Sequence, residues 1–402
     1  MEIKSRVQVL SPAEGDLLTI CHARPLRPFA PEVIDFLGDL SQALVSDPRA
    51  RGMPDVYSFG FWCRRASVMA MQHDYHDLDR RLGRGVVFHV APGNVPVNFA
   101  YSLAAGLLAG NANIVRVPSE EFAQVRIIAE TIDAVLNRQL HQGLRDHIRL
   151  IRYDRADHNV TADFSGACDV RVIWGGDATI NNIRRHPVAP RAFDITFADR
   201  YSACVIGAHE YLRAPDRSVL ARGFYNDTYL FDQNACTAPH LVLWLGPRNV
   251  VDEARKAFWS ELHCYARGRY RLEPKSAVDK WTNALRYAAL HAESQIIKGE
   301  DNLISRLEVP QLVPGIENWH SSCGFFFESQ IDGLDEMLPI VSRRYQTLSY
   351  VGLNKTVLRD LVIKGRTVGI DRIVPVGRTL DFSLEWDGYN LVHTLSRLVA
   401  VC

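Results

Sequence analysis

Apolar residues recur at helical spacing over positions 31–45. Val33, Ile34, Phe36, Leu37, Leu40 and Leu44 fall on one face, which predicts a helix with a buried stripe. Residues 62–72 carry similar spacing and also predict a helix. The period then changes. Residues 86–90, Val-Val-Phe-His-Val, form a short apolar run rich in β-branched side chains, the pattern of a buried strand. The loop Ala91-Pro92-Gly93-Asn94-Val95-Pro96 follows, and small and apolar residues over 98–108 predict a helix. Gly110 stops that helix, because glycine tolerates the left-handed position just past a helix end. Residues 114–117 read as a strand, and Pro118-Ser119-Glu120-Glu121 as the start of a helix running to residue 136.

The alternation continues. Residues 148–153, 170–174, 195–197 and 203–206 predict strands, and 178–185 and 220–225 predict helices. Further strands are expected at 241–245, 324–327 and 347–351, with helices at 250–266 and 280–291. Residues 390–399 place Leu391, Leu395, Leu398 and Val399 on one helical face. Strands and helices in alternation, joined by short connections, indicate parallel sheets, so the fold class is α/β. The chain shows neither an internal repeat nor a low-complexity run. At 402 residues it is too long for one ordinary core. Two domains of roughly 150–200 residues each are expected.

Charge narrows the picture. Lys and Arg number 46, and Asp and Glu also 46, which argues against nucleic acid as the main partner. Residues 1–10 hold no apolar core of signal-peptide length. The longest bland stretch, 99–109, is shorter than the ~20 residues a membrane-spanning helix needs. A cytoplasmic chain without a membrane span is therefore expected. Cysteines stand at 21, 63, 168, 204, 236, 264, 323 and 402, with no C-x-x-C pair. They are expected to be thiols rather than disulfides or zinc ligands. His73 and His76 lack a further ligand nearby, so no metal site is expected.

Four segments carry candidate chemistry. Gly83-Arg84-Gly85 precedes its strand and lacks a third glycine, which disfavours a dinucleotide loop. The Asn94 loop lies at the carboxyl end of a predicted parallel strand, where open α/β sheets place ligands. Asn94 can offer an N–H to an oxyanion, a donor worth ~3–4 kcal/mol of barrier; alternatively it caps the next helix. Trp174-Gly175-Gly176-Asp177 joins a strand to a helix, and its glycines admit a pyrophosphate or simply make a tight turn. Residues 231–240 hold Cys236 in a polar loop directly before an apolar strand. A thiolate attacks carbonyls and thioesters and later leaves well, although most cysteines are small buried hydrophobes. Arg267, Arg269 and Arg271 with Tyr270 read as a surface loop.

In order, these pieces resemble a known family. Residues 85–121, GVVFHVAPGNVPVNFAYSLAAGLLAGNANIVRVPSEE, resemble the cofactor-domain core of the aldehyde dehydrogenase superfamily. The wording is nearer to the fatty acyl-CoA reductases of the bacterial luminescence pathway, with further likeness at 194–206, 226–240, 346–353 and 372–391. The resemblance implies an aldehyde dehydrogenase-like architecture, a Rossmann-type cofactor domain plus a second α/β catalytic domain. Residues 1–222 would form the N-terminal segment and cofactor domain, and 223–380 the catalytic domain. Residues 381–402 would form a C-terminal helix packing back on the body.

The resemblance also implies a reaction, reduction of a fatty acyl-CoA to the aldehyde with NADPH (or NADH). Cys236 would attack the thioester, expel CoA and hold the acyl group, with Asn94 at the oxyanion. Ala91, Pro92, Arg116, Ser119, Glu120, Gly175, Gly176 and Asp177 would contact the cofactor. A homo-oligomer working beside an acyl-protein synthetase and an acyltransferase is implied. Thr196 stands where hydrolytic members carry a general-base Glu, so the acyl-enzyme would survive for a thiol or a hydride. The superfamily's Glu-x-Phe-Gly-Pro segment is absent and would fall near 320–323. Gln233 lies three residues before Cys236 rather than two. Arg116 points toward a 2′-phosphate and hence NADP. Trp386-Asp387-Gly388-Tyr389 reads as a turn into the last helix, and its place in the family pattern puts it near the site. The alternatives are the oxidative direction, as a CoA-acylating aldehyde dehydrogenase, a carrier-protein-bound acyl donor, and a non-catalytic scaffold.

Overall fold

A computed structural model describes residues 6–13 and 17–401. The expectations for residues 1–5 and for Cys402 lie outside them. Two compact units emerge, residues 1–198 with 382–402, and residues 199–381.

The first unit is built on a six-stranded sheet, β1 (Gln8–Ser11), β2 (Val86–Val90), β3 (Ala112–Arg116), β4 (Ile148–Arg152), β5 (Val170–Trp174) and β6 (Phe193–Phe197). Its order is β1-β4-β3-β2-β5-β6, all parallel except β1 on the edge. β2 and β5 are buried at every residue, as their unbroken apolar runs require. β2 neighbours both β3 and β5, so the winding reverses between β2 and β5. That reversal is the switch point at which open α/β sheets bind ligands.

Helices cover the sheet. Pro31–Ser46 buries the predicted stripe of Val33, Ile34, Phe36, Leu37, Leu40 and Leu44. The helix after β2 spans Asn98–Leu108, and Gly110 past its end has φ +88°. A Cβ there would stand 2.2 Å from the Leu26 carbonyl oxygen, so only glycine fits.

Several expected elements differ. The helix expected over 62–72 is two, Pro54–Trp62 and Arg65–Gln72, divided where Arg64 takes an extended ψ of 136°. The helix expected from 118 begins at Ala123. The Val117 N–H donates to the Ile151 carbonyl and the Arg152 Nε to the Pro118 carbonyl, which holds this stretch along β4 instead. The last helix is only Leu391–Leu395. Ser396–Leu398 leaves it to pair antiparallel with Arg81–Gly83.

The second unit carries a seven-stranded sheet, β7 (Tyr201–Gly207), β8 (Pro239–Leu245), β9 (Gln295–Ile297), β10 (Ser305–Glu308), β11 (Phe325–Ile331), β12 (Tyr345–Val351) and β13 (Arg372–Pro375). The order is β9-β10-β11-β8-β7-β12-β13, parallel except at β9. β7 pairs on both sides in this sheet. Residues 199–222 therefore belong with the second unit, and the expected division after 222 would cut the helix Arg217–Tyr229. Residues 382–402 count with the first unit.

Candidate active site

In the first unit the candidate cofactor residues gather at the carboxyl ends of adjacent strands. Ala91 and Pro92 follow β2, Arg116 ends β3, and Gly175 and Gly176 follow β5. The Ala91 N–H donates to the Arg116 carbonyl at 3.1 Å, tying the first two segments together. Arg116 is half-buried; its guanidinium donates to Ser119 Oγ at 3.1 Å and lies 4.8 Å over the Tyr153 ring. Burial pushes Arg116 below the usual guanidinium range. Glu120 is exposed beside Ser119.

Gly175 has φ +157°, and Gly176 caps the helix Asp177–Arg184 without a side-chain hydrogen bond. Bare backbone at a helix N-terminus suits an anion. Asp177 stands exposed in the first turn, where its carboxylate works against a phosphate at that spot.

Asn94 is exposed in the loop after β2. The N-cap of the next helix is Val97, whose side chain makes no capping hydrogen bond. Behind this loop lies a buried polar chain. Trp174 Nε1 donates to Ser102 Oγ at 2.9 Å, Ser102 meets His89 Nδ1 at 2.7 Å, and His89 Nε2 meets Asn113 Oδ1 at 3.0 Å. With the ring protons assigned to suit those partners, every link is satisfied. Burial depresses His89 to about 4, so it is neutral near pH 7.

The sequence reading missed an aromatic stack at the same sheet end. Trp174 lies 3.7 Å from Phe197, and Phe197 meets Tyr389 edge-on at 5.7 Å. Tyr389 comes from a hairpin whose turn residues, Asp387 and Gly388, have φ +55° and +79°. Thr196 lies on β6 opposite Ile173, half-buried. Gly83 and Gly85 are packing glycines. A Cβ on Gly83 would meet the Gly110 carbonyl oxygen at 2.1 Å, and one on Gly85 the Asp169 carboxylate at 2.1 Å.

In the second unit, Cys236 is half-buried in the loop that enters β8 at its amino end. The described cysteines form no disulfide. Ser202 Oγ donates to the Cys236 carbonyl at 2.7 Å and accepts from the Thr347 N–H at 3.2 Å, so the loop is fastened to β7 and β12. Gln233 is 1% exposed, so its amide must find all its partners inside the protein. Its Nε2 donates to the carbonyls of Pro239 and Phe325. Its Oε1 accepts from the N–H groups of Gly324 and Phe325. Asp232 and Gln233 take φ +51° and +60°, a tight kink these bonds sustain. Gln233 thus supports the loop from behind. Tyr270, from the arginine-rich segment, donates to Asp232 at 2.7 Å. His240 is buried and held near 3 by desolvation and by His320, so it too is neutral. Around 320–323, where the missing family segment would fall, Cys323 takes φ +61° and its N–H donates to the Asp232 carbonyl.

Among the described residues, no group of three or more His, Cys, Asp or Glu is arranged to hold a metal ion. No helix among them is long and apolar enough to cross a membrane.

The acyl-CoA reductase (LuxC) family matches residues 65–307, well over half of the chain. The long-chain acyl-protein thioester reductase of Photorhabdus luminescens is 24% identical over 327 residues, covering 80% of this chain and 64% of the relative. That of Vibrio harveyi is 24% identical over 331 residues, with the same coverage. The one from Photorhabdus laumondii is 24% identical over 272 residues, 66% of this chain and 53% of its own. The chain thus spans between about half and two thirds of the length of these relatives. Among solved structures, lactaldehyde dehydrogenase from Escherichia coli superposes with a TM-score of 0.58 at 14% identity, covering 95% of this chain and 86% of that one. Proline utilization A from Corynebacterium freiburgense gives 0.63 at 14% identity, over 96% and 43%. At such identities the likeness shows fold alone, and the fold is aldehyde dehydrogenase-like. The chain belongs to the acyl-CoA reductase (LuxC) family.

Proposed function

We propose that this chain reduces an acyl thioester to the aldehyde with NADPH, through an acyl-enzyme on Cys236. The observation that carries the reading is the setting of Cys236 in a chain of this family and fold. Its thiol is half-buried in a loop that Gln233 and Ser202 fix from buried positions. A fixed, partly exposed thiol at the mouth of a sheet suits covalent catalysis.

The first unit's residues fit a dinucleotide. Two glycines at the switch point bring bare backbone to a helix N-terminus. Arg116, held by Ser119 and the Tyr153 ring, presents the positive charge that a 2′-phosphate needs, which favours NADPH over NADH. When bound, the reduced cofactor supplies the hydride that turns the acyl group into the aldehyde. Cys236 attacks the thioester carbonyl, expels the donor thiol and keeps the acyl group in a thioester. Asn94 is the proposed oxyanion donor, a role its exposed amide suits. Thr196 has no carboxylate with which to activate water, so the acyl-enzyme is spared hydrolysis.

The donor is proposed as fatty acyl-CoA. The relatives' names, which specify acyl-protein thioesters, favour a second reading in which the acyl group arrives on a protein. Both belong to one chemistry, and the oxidative direction is its reverse. The test supplies fatty acyl-CoA of graded length, and an acylated carrier protein, each with NADPH or NADH. The account expects aldehyde and released thiol in equal amounts, faster with NADPH. No aldehyde from any donor with either cofactor refutes it.

A further inference from the structure

Arg372 is the first residue of β13 and pairs with Thr347 of β12. The Thr347 N–H donates to Ser202 Oγ, and that hydroxyl donates to the Cys236 carbonyl. Arg372 and Cys236 therefore share the amino edge of one sheet, linked through the Thr347–Arg372 pairing and hydrogen bonds of 3.2 and 2.7 Å. The Arg372 guanidinium is fixed by backbone carbonyls, donating to Thr379 at 2.6 Å, to Arg378 at 3.1 Å and to Asp381. It lies within electrostatic reach of the Cys236 thiol.

The loop that supplies those carbonyls is anchored from inside. Asp227, 2% exposed on the helix Arg217–Tyr229, accepts the N–H of Gly377 at 2.6 Å and of Thr379 at 3.1 Å. One turn earlier on that helix, a Cβ on Gly223 would stand only 3.1 Å from the Gly377 Cα. Helix and loop touch backbone to backbone, and Thr379 is wholly buried beneath them. A buried carboxylate spent on two loop N–H groups, and a half-buried guanidinium spent on loop carbonyls, are costly unless the placed charge is used. The charged groups acting on Arg372 are Asp381 and Arg378 on the loop, Asp227 on the helix and Cys236 itself.

We propose that Arg372 is the cation that holds Cys236 as its thiolate, and that Asp227 positions it through the 377–381 loop. This rests on Cys236 being the acyl-carrying nucleophile. The thiol proton passes to water. The thiolate sulfur forms a bond to the thioester carbonyl carbon, and the bond from that carbon to the donor sulfur breaks. The donor sulfur leaves with the electron pair and takes a proton from water, so nothing is oxidised or reduced in this transfer. A guanidinium fixed at the same sheet edge favours the ionised sulfur before attack.

The test is the pH dependence of iodoacetamide alkylation, read by mass spectrometry on the peptide containing Cys236, so that the exposed Cys21 and Cys264 do not contribute. Arg372→Gln should raise the midpoint by about 1–2 pH units. Arg372→Lys should recover part of that shift, and Asp227→Asn should move the midpoint upward too. Arg359→Gln, which removes an exposed charge from the helix Lys355–Lys364, should leave it unchanged. An unchanged midpoint in folded Arg372→Gln overturns the proposal. If Arg372→Gln does not fold, Asp227→Asn decides: a raised midpoint supports the proposal and an unchanged one overturns it. The underlying reading fails separately. If the native chain forms no adduct at Cys236 with labelled acyl-CoA, that reading is wrong whatever the midpoint. If the adduct forms and the midpoint is indifferent to Arg372, only the role of Arg372 is wrong.

Discussion

Gln233 makes four hydrogen bonds from one buried amide, and the loop bearing Cys236 depends on them. Gln233→Ala would leave the Gly324 and Phe325 N–H groups buried without that acceptor. Each such group costs ~1–3 kcal/mol. The variant should lose at least about 2 kcal/mol in urea unfolding, and a loss below about 1 kcal/mol would contradict the role given to Gln233. Asn94→Ala belongs at the same scale. It should lower turnover roughly a hundredfold or more while cofactor affinity, measured by fluorescence titration, stays unchanged. Normal turnover would remove Asn94 from the oxyanion site. Cys236 and Asn94 stand out in the sequence because a thiol and an amide each sit in a short loop beside an apolar strand. Gln233, Ser202 and Arg372 were not read as a set, because their partners lie on other strands and no local pattern records them.

Elements were legible where burial repeats. β2, the helix Asn98–Leu108 and β5 fall where their apolar runs placed them, since a wholly buried strand leaves no polar position to blur its ends. The pattern failed where hydrogen bonds from another segment set the boundary. Residues 118–121 looked like a helix start, but β4 and Arg152 hold the chain at 117–118 beside that strand. Residues 396–398 looked like the tail of a helix, but they pair with Arg81–Gly83. Tight packing between elements gives a further prediction. A Cβ on Gly106 would stand 1.8 Å from Asn113 Oδ1 and 3.1 Å from His89 Nε2. Gly106→Ala should therefore cost about 1–3 kcal/mol despite alanine's better helix propensity. A variant more stable than the native chain in thermal unfolding would contradict the close packing behind the Asn94 loop.

For the molecule as a whole, two buried titratable groups make stability depend on pH in opposite directions. His89 titrates near 4 in the fold, below its ordinary 6.5. The unfolded chain takes up that proton first, so the stability His89 contributes is full above 6.5 and is lost as pH falls toward 4. Asp227 is raised by burial to about 6, above its ordinary 3.8. Its contribution is full below 3.8 and is lost as pH rises through 6. His89→Gln removes the first effect alone. Between pH 7 and 5 the native chain should lose ~2 kcal/mol more than the variant, read from urea midpoints. Equal slopes would mean that His89 is not held neutral. The family and the fold were legible in one sequence segment, residues 85–121, because a strand, a rigid loop and a helix follow there without interruption. The division point was not, because residues 199–222 look like a continuation of the first unit until β7 is seen in the middle of the second sheet.

The central claim is that Cys236 carries the acyl group. The most direct measurement is intact-protein mass after brief exposure to a fatty acyl-CoA without reductant, with peptide mapping, followed by addition of NADPH. The account predicts one acyl group, on Cys236, discharged as aldehyde when NADPH arrives and missing in Cys236→Ala. A Cys236→Ala chain that still becomes acylated and still yields aldehyde at the native rate would contradict it.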